Sequence, residues 1–232
     1  MNGLEILNDM TNEELNVIVR VIIDEGGPTE ELTDYDSYQK YRPDHHKYVN
    51  LIESEIIKFG SNTFWGNKSY KEIVCDVCDK LKVNYNSGRT LEHIEHNLLE
   101  KVLEQTWEEM SESDKQEVLK TVSKGNKSVA QISAATLIGL FRAGGFASYQ
   151  LAVIIANAVA KQIVGHGLSL AANAGLTRAL SIFTGPVGMA LTALWTVFSF
   201  AGPAYRVTIP VTVYIAGMRS IYNNKELANV YF

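Results

Sequence analysis

The chain has 232 residues, enough to bury a sizeable core in one large domain or two small ones. Apolar residues make up 46% of it and charged residues 20%, which excludes a disordered tail and a protein embedded mostly in lipid. Its two cysteines exclude a disulfide scaffold. The first ten residues lack the basic and long apolar regions of a secretory signal, so a cytoplasmic protein is expected.

Charge is divided unevenly along the chain. Residues 1–117 hold 25 acidic and 12 basic residues, a net charge of −13, whereas residues 118–232 have a net charge of +8. Such asymmetry suggests that the basic part meets an anionic surface or meets the acidic part. The basic residues are widely spaced among apolar ones, so no phosphate-binding stripe forms and nucleic-acid binding is not expected.

Short helices are predicted for the acidic part. Thr11 with Glu14, and Ser69 with Glu72, have the spacing of capping boxes, so each pair predicts a helix start. The glycines and proline at 26–28 should end the first helix. The other predicted helices of this part run over about 44–58, over about 90–110 and from 111 onwards, with a loop or short helix at 35–43 and a linker at 124–126.

Two pairs of metal-binding residue types occur in the acidic part. Cys75 and Cys78 form a CxxC, and His93 and His96 form an HxxH. On helices each pair shares one face, so a zinc site of two cysteines and two histidines is one interpretation. The alternative is that the cysteines fill apolar core and the histidines lie on a charged helix face. No GxSxG or other hydrolase motif is present, so the sequence predicts no enzyme.

The basic part is rich in small residues at every fourth position. On helices such rows allow neighbouring backbones to approach closely. They indicate either a glycine-zipper interface of the membrane type or a tightly packed bundle in water. Ala152, Ala156 and Ala160 are expected to face another helix at close range, near Gly167, Ala171 or Gly175. The predicted helix-packing residues are Gly144, Ser148, Ala152, Ala156, Ala160, Gly167, Ala171 and Gly175.

An uncharged segment of 27 residues, 179–205, lies between Arg178 and Arg206. Pro186 suits a first helical turn, so a helix over 186–201 is predicted. Sixteen residues reach about 24 Å, less than the roughly 30 Å of a hydrocarbon core. The helix is therefore either a buried central helix or one that enters lipid conditionally. The predicted membrane-interaction residues are Pro186, Met189, Leu194, Trp195, Phe198 and Phe200.

The segment 207–215 alternates with a period of two and is β-branched, which is typical of a strand. Pro210 at its centre argues against a central strand. We therefore predict a helix from about 210 to 222.

Five strings of this sequence resemble the YaaW family of bacterial proteins, and the resemblance extends over nearly the whole chain. The family's cysteine pair matches Cys75 and Cys78, whereas neither histidine of the HxxH matches a family motif. The resemblance implies no catalytic residue, and some family members carry a label referring to a ubiquinol-cytochrome c chaperone-like region. The strings are NTF (62–64), EIVCDVCDKLKVNYN (72–86), RAGGFASYQLAVIIANAVAK (142–161), GLSLAANAGLTRALSIFTGPVG (167–188) and AGPAYRVTIP (201–210).

These observations predict an all-α protein, a multi-helix bundle of about nine helices. Its domains would be an acidic helical domain at 1–125, an apolar basic bundle at 126–222 and a tail at 223–232. The first functional hypothesis is a non-enzymatic protein, without a cofactor, that binds or conditionally enters bacterial membranes. Its partner would be anionic lipid, and it would be cytoplasmic or associated with the inner membrane. The alternative is a soluble chaperone or assembly factor that binds a partner protein or a second copy of itself.

Overall fold

The computed structural model describes residues 3–61, 68–122, 133–170, 177–196 and 203–226, and all regular secondary structure in these ranges is helical. The predicted all-α class is therefore confirmed. Four short 3₁₀ helices in these ranges are Glu5–Asn8, Gly27–Thr29, Leu32–Asp34 and His45–Tyr48. The ten α-helices of the same ranges are α1 (Asn12–Gly26), α2 (Asp36–Tyr41), α3 (Val49–Ser61), α4 (Tyr70–Lys80), α5 (Leu91–Glu109), α6 (Glu112–Val122), α7 (Ala134–Arg142), α8 (Gly145–Val164), α9 (Thr177–Thr196) and α10 (Pro203–Asn223).

Both predicted capping boxes form. The backbone N–H of Thr11 donates to the Glu14 carboxylate at 2.7 Å, and the Glu14 N–H donates to the Thr11 hydroxyl at 3.3 Å. Ser69 and Glu72 make the same two hydrogen bonds at the start of α4. These side chains satisfy backbone donors that the first helical turn leaves free, which is why α1 and α4 begin where the sequence predicts.

The chain divides into two compact units, each made of two separate stretches of sequence. Unit 1 comprises Met1–Glu95 and Leu194–Thr212. Within it α1 packs against α3, and α3 packs against α4. A Cβ atom on Gly60 of α3 would lie only 2.3 Å from the Cδ1 atom of Ile73 on α4. Glycine is therefore required where these two helices meet.

Unit 2 comprises His96–Ala193 and Val213–Phe232. Its central helix is α8, in which every residue from 148 to 160 is buried. Both α6 and α7 pack against α8. A helix that is buried around its whole circumference has no side on which a charged side chain reaches water, and this explains why α8 carries its charge only near its end, at Lys161.

Two helices continue through a proline, which corrects two predicted helix starts. The predicted start at Pro186 is wrong, because α9 begins at Thr177 and contains Pro186 in its interior. The predicted start at Pro210 is also wrong, because α10 begins at Pro203, although the choice of helix over strand is correct. An interior proline removes one backbone hydrogen bond. Burial of all residues from 207 to 218 offsets that loss in α10.

The predicted domain boundary at residue 125 lies outside the described residues, as does the predicted linker at 124–126. Unit 1 and unit 2 each contain residues from both sides of that position. The division into 1–125, 126–222 and 223–232 stays a prediction.

Candidate interaction surface

Between residues 183 and 193, the described side chains of α9 form one buried face and one exposed, uncharged face. Phe183, Val187 and Ala190 are buried with 0 to 1% of their surface exposed. Met189 is 50% exposed, which makes it the most exposed large apolar side chain that the structure describes. The exposed residues 185, 189, 192 and 193 follow one another at intervals of four, three and one, so they lie on one side of the helix. No charged residue occurs from 179 to 205. We call this surface the α9 face, and it comprises Gly185, Met189, Thr192 and Ala193.

The α9 face belongs to a helix that is anchored in unit 2. The Gln162 side chain, near the end of α8, donates to the Thr192 hydroxyl at 2.9 Å. Val187, which lies about 200° around the helix from Met189, is fully buried. The helix is therefore held by buried residues on its opposite side and by the Gln162–Thr192 hydrogen bond at the α9 face itself.

The six predicted membrane-interaction residues do not share one environment. Pro186 is buried and Met189 is exposed. The side chains of Leu194 and Trp195, and all of Phe198 and Phe200, lie outside the described part of the structure. Because Met189 is exposed, the described part of this segment is not buried on all sides.

The small-residue row of α8 packs closely against α10. A Cβ atom on Gly217 would lie 3.3 Å from the Cβ atom of Ala156 and 3.6 Å from the carbonyl oxygen of Ala152. The expected close approach to another helix is thus present at these two alanines. The neighbour that the structure shows there is Gly217, which no sequence pattern singled out. Ala171 and Gly175 lie outside the described residues.

The remaining predicted packing residues have different roles. Gly144 is the N-cap of α8 with a φ of 73°, a conformation that favours glycine. Ser148 and Ala160 are buried in α8. Gly167 leaves room for the side-chain oxygen of Asn157, which a Cβ atom at 167 would meet at 2.3 Å.

The structure does not gather the two cysteines and two histidines into a metal centre. Burial raises the pKa of Cys78 to about 12 and raises the pKa of Cys75 as well, which disfavours the thiolate form that binds metal ions. His93 is exposed, and the His96 ring stacks on Phe141 with centroids 4.2 Å apart. Among the described residues, no group of three or more His, Cys, Asp or Glu side chains is placed to bind a metal ion.

A charged cluster between α5 and α7 is not apparent from the sequence. Arg142 donates two hydrogen bonds to the buried Glu100 carboxylate, at 2.8 and 2.6 Å. The Nε2 atom of His96 lies 3.4 Å from the same carboxylate. Arg142 and Glu100 are 42 residues apart in the sequence, so no local spacing pattern could predict their contact. These two hydrogen bonds connect α7 to α5.

A cavity of about 140 Å³ in unit 1 is likewise not apparent from the sequence. Lys68 pairs with Asp76 at its wall, so the cation and the carboxylate neutralise each other. The volume corresponds to a few water molecules. The lining residues are Phe59, Gly60, Lys68, Ile73, Asp76, Ala204, Tyr205 and Thr208.

Comparison with known proteins shows what this chain is similar to. Residues 77–213, more than half of the chain, match the family model described as Ubiquinol-cytochrome C chaperone. A UPF0174 protein of Helicobacter pylori strain J99 is 46% identical over 228 residues, which cover 93% of this chain and 90% of the relative. A second UPF0174 protein of that strain is 38% identical, with 82% and 96% covered. The UPF0174 protein YaaW of Escherichia coli K12 is 31% identical, with 83% and 80% covered. No solved structure matches the chain.

Proposed function

The chain belongs to the UPF0174 family, and we propose that it is a non-enzymatic chaperone or assembly factor that acts by binding another protein. The match of residues 77–213 to a family model described as a chaperone carries this proposal. The raised pKa values of both thiols also support a non-catalytic role, because a chaperone needs a binding surface and not an activated nucleophile.

The α9 face is the surface that we propose for this contact. It is uncharged, it lies within the matched residues, and Met189 stands at its centre with half of its surface in water. Methionine is flexible and polarisable, which suits surfaces that bind varied apolar partners. The partner of matching chemistry is an apolar helix of an unassembled protein, since an uncharged helix face offers no ionic contact.

Site-specific photo-crosslinking tests this function. A photoreactive amino acid replaces Met189 in one variant and the exposed Glu112 on α6 in a matched control. Both variants are irradiated in cells of the bacterium that encodes the chain, and the crosslinked products are identified by mass spectrometry. We expect position 189, and not position 112, to capture the same protein in repeated experiments.

The identity of the captured protein decides the proposal. A subunit of ubiquinol-cytochrome c reductase, or another incompletely assembled protein, captured at 189 and released by Met189→Glu in a separate binding assay, would support it. Equal capture from positions 189 and 112, or no protein capture from either, contradicts it.

A second candidate function is conditional binding to anionic membranes through the C-terminal helices. The observation that favours it is α8, whose 20 residues are long and apolar enough to cross a membrane by length and composition. However, 72% of its most apolar window is buried in the fold, as in the core helix of a bundle. Membrane entry would therefore require unit 2 to open.

Flotation separates this candidate from the first. The full chain is mixed with vesicles of neutral lipid or of neutral lipid with anionic phosphatidylglycerol, at low and high salt. Insertion of α8 predicts flotation that persists at high salt, because apolar contacts are not screened. Absence of flotation under every condition removes the membrane candidate and leaves the protein-binding proposal intact.

A further inference from the structure

One fully buried amide in α8 has no hydrogen-bond partner within the described part of the chain. Gln150 is 0% exposed, and neither its side-chain oxygen nor its nitrogen meets a partner in the described part of the chain. It stands in the most deeply buried stretch of unit 2, beside Leu151, Ala152 and Val153. Burying a donor and an acceptor without partners costs free energy, because both lose their hydrogen bonds to water.

Asn157 provides a direct contrast on the same helix. It lies seven residues after Gln150, which places the two amides on the same side of α8. The Asn157 side-chain oxygen accepts a hydrogen bond from the backbone N–H of Leu168 at 3.0 Å, and this contact is buried. The closed packing of unit 2 therefore satisfies one amide of α8 and leaves the other unsatisfied.

We propose that unit 2 has an open state in which α8 loses its closed packing, and that the unsatisfied amide of Gln150 sets how often this state forms. In the closed state the amide is buried and meets no hydrogen-bond partner among the described residues. When α8 separates from its neighbours, water or a polar group of a partner supplies the missing hydrogen bonds. The desolvation cost is thereby recovered, so the glutamine lowers the free energy of opening.

The packing around α8 determines what opening exposes. The helix is 20 residues long, and its small residues Ala152 and Ala156 face Gly217 at close range. Opening would expose this small-residue row together with the large apolar side chains of α8. Such a surface suits an apolar helix, whereas the closed unit keeps it covered. The inference concerns this chain's own conformations and does not depend on the proposed chaperone role.

Hydrogen exchange of the full chain, followed by mass spectrometry, tests the proposal. Gln150→Met keeps the length of the side chain and removes both polar atoms. We expect the amides of residues 150–160 to exchange about tenfold to a hundredfold more slowly in this variant. Asn157→Leu is the matched control on the same face, and it should accelerate exchange because it removes the acceptor for the buried Leu168 N–H.

Comparing the exchange rates of α8 with those of α5 distinguishes local opening of α8 from a change in the stability of the whole fold. In unit 2 of the wild type, α8 should exchange faster than residues 98–107 of α5, and Gln150→Met should remove that difference. If Gln150→Met slows α5 and α8 by the same factor, or leaves α8 unchanged, the proposed open state is refuted.

Thiol labelling tests the same proposed open state if the Gln150→Met variant folds poorly. The buried Ser148 of α8 is replaced in Ser148→Cys, and this thiol is labelled in the wild-type and in the Gln150→Leu backgrounds. Slower labelling in the Gln150→Leu background supports opening, and equal labelling in the two backgrounds overturns it.

Discussion

Two buried carboxylates show how the partners of a single side chain decide its effect on stability. Glu100 accepts two hydrogen bonds from Arg142, so its negative charge is balanced. Glu55 is 1% exposed, and its Oε2 atom has no partner among the described residues, while Lys58 lies 3.7 Å from its Oε1 atom. Burial is accordingly the largest cause of the raised pKa of Glu55, and the charge of Lys58 opposes it only in part.

Glu55→Gln is expected to stabilise the protein at pH 7 by about 1 kcal/mol, because the glutamine has no charge to bury. Lys58 keeps two other partners after this change, since Glu31 lies 2.8 Å from its Nζ atom and the Thr29 carbonyl oxygen accepts a hydrogen bond from it. With a raised pKa in the folded state, Glu55 contributes full stability below its ordinary pKa of 4.5 and loses that contribution as the pH rises through the folded-state pKa.

Urea denaturation at several values between pH 4 and pH 8 measures this effect. Relative to Glu55→Gln, the wild type should become progressively less stable as the pH rises. Glu108→Gln, at an exposed position of α5, is the control and should follow the wild type. A Glu55→Gln variant that is less stable than the wild type at pH 8 would show that the ion pair with Lys58 outweighs the cost of burial.

Arg142→Ala is expected to lower the free energy of unfolding by about 1 to 3 kcal/mol, because the buried Glu100 would lose both charged hydrogen bonds. The Arg142 side chain is itself 64% exposed, which keeps the expected loss below that of a fully buried pair. The double variant Arg142→Ala with Glu100→Gln should recover part of the loss. Arg20→Ala, which breaks an exposed pair with Asp24, should cost less than about 1 kcal/mol. Equal losses at both arginines, measured by urea denaturation, would contradict this account.

At the scale of the helix, close packing explains the small residues of α8. Ala156→Leu would add three carbon atoms where Gly217 lies in contact, and the expected cost is about 1 to 3 kcal/mol of stability. Thermal unfolding of the variant measures it. Ala143→Leu, at an exposed position between α7 and α8, is the control and should change little. If Ala156→Leu leaves the thermal stability unchanged, α8 and α10 separate easily.

Helix starts that depend on neighbouring residues could be predicted, and those that depend on tertiary packing could not. Thr11 and Ser69 cap their helices through side chains three residues away, so the sequence alone locates these starts. Pro186 and Pro210 predict helix starts because a proline in a first turn costs no hydrogen bond. The structure places both inside helices, where packing compensates for the lost bond. This compensation by packing cannot be predicted from the sequence.

The candidate sites, too, could be predicted only where they depend on residues that are close in the sequence. Periodicity identifies Ala152 and Ala156 as packing residues, but it cannot name Gly217, because that contact joins positions about 60 residues apart. The exposure of Met189 and the unsatisfied amide of Gln150 likewise depend on which elements surround them. Residue type and spacing indicate which side chains could serve a site, and only the packing decides which of them do.

For the whole molecule, charge and structure divide the chain differently. The change from net negative to net positive charge occurs near residue 118. Each compact unit, in contrast, takes residues from both parts, because 194–212 belongs with 1–95 and 213–232 belongs with 96–193. Among the described helices, α5, α9 and α10 each contribute residues to both units. A cut at residue 125 would therefore leave neither unit complete in either fragment.

We accordingly expect fragments 1–125 and 126–232, expressed separately, to lack cooperative unfolding, and to regain it when they are mixed. The physical reason is that each fragment would expose apolar faces that the other covers, such as the part of α8 against which α6 packs. Urea denaturation followed by tryptophan fluorescence measures this, since Trp107 is buried in the N-terminal fragment. The control is the full chain, cleaved at an inserted protease site near 125 after folding, which should stay associated during gel filtration. If fragment 1–125 alone unfolds cooperatively at the midpoint of the full chain, the acidic part is an independent domain, as the charge pattern predicts, and the two discontinuous units do not fold as such.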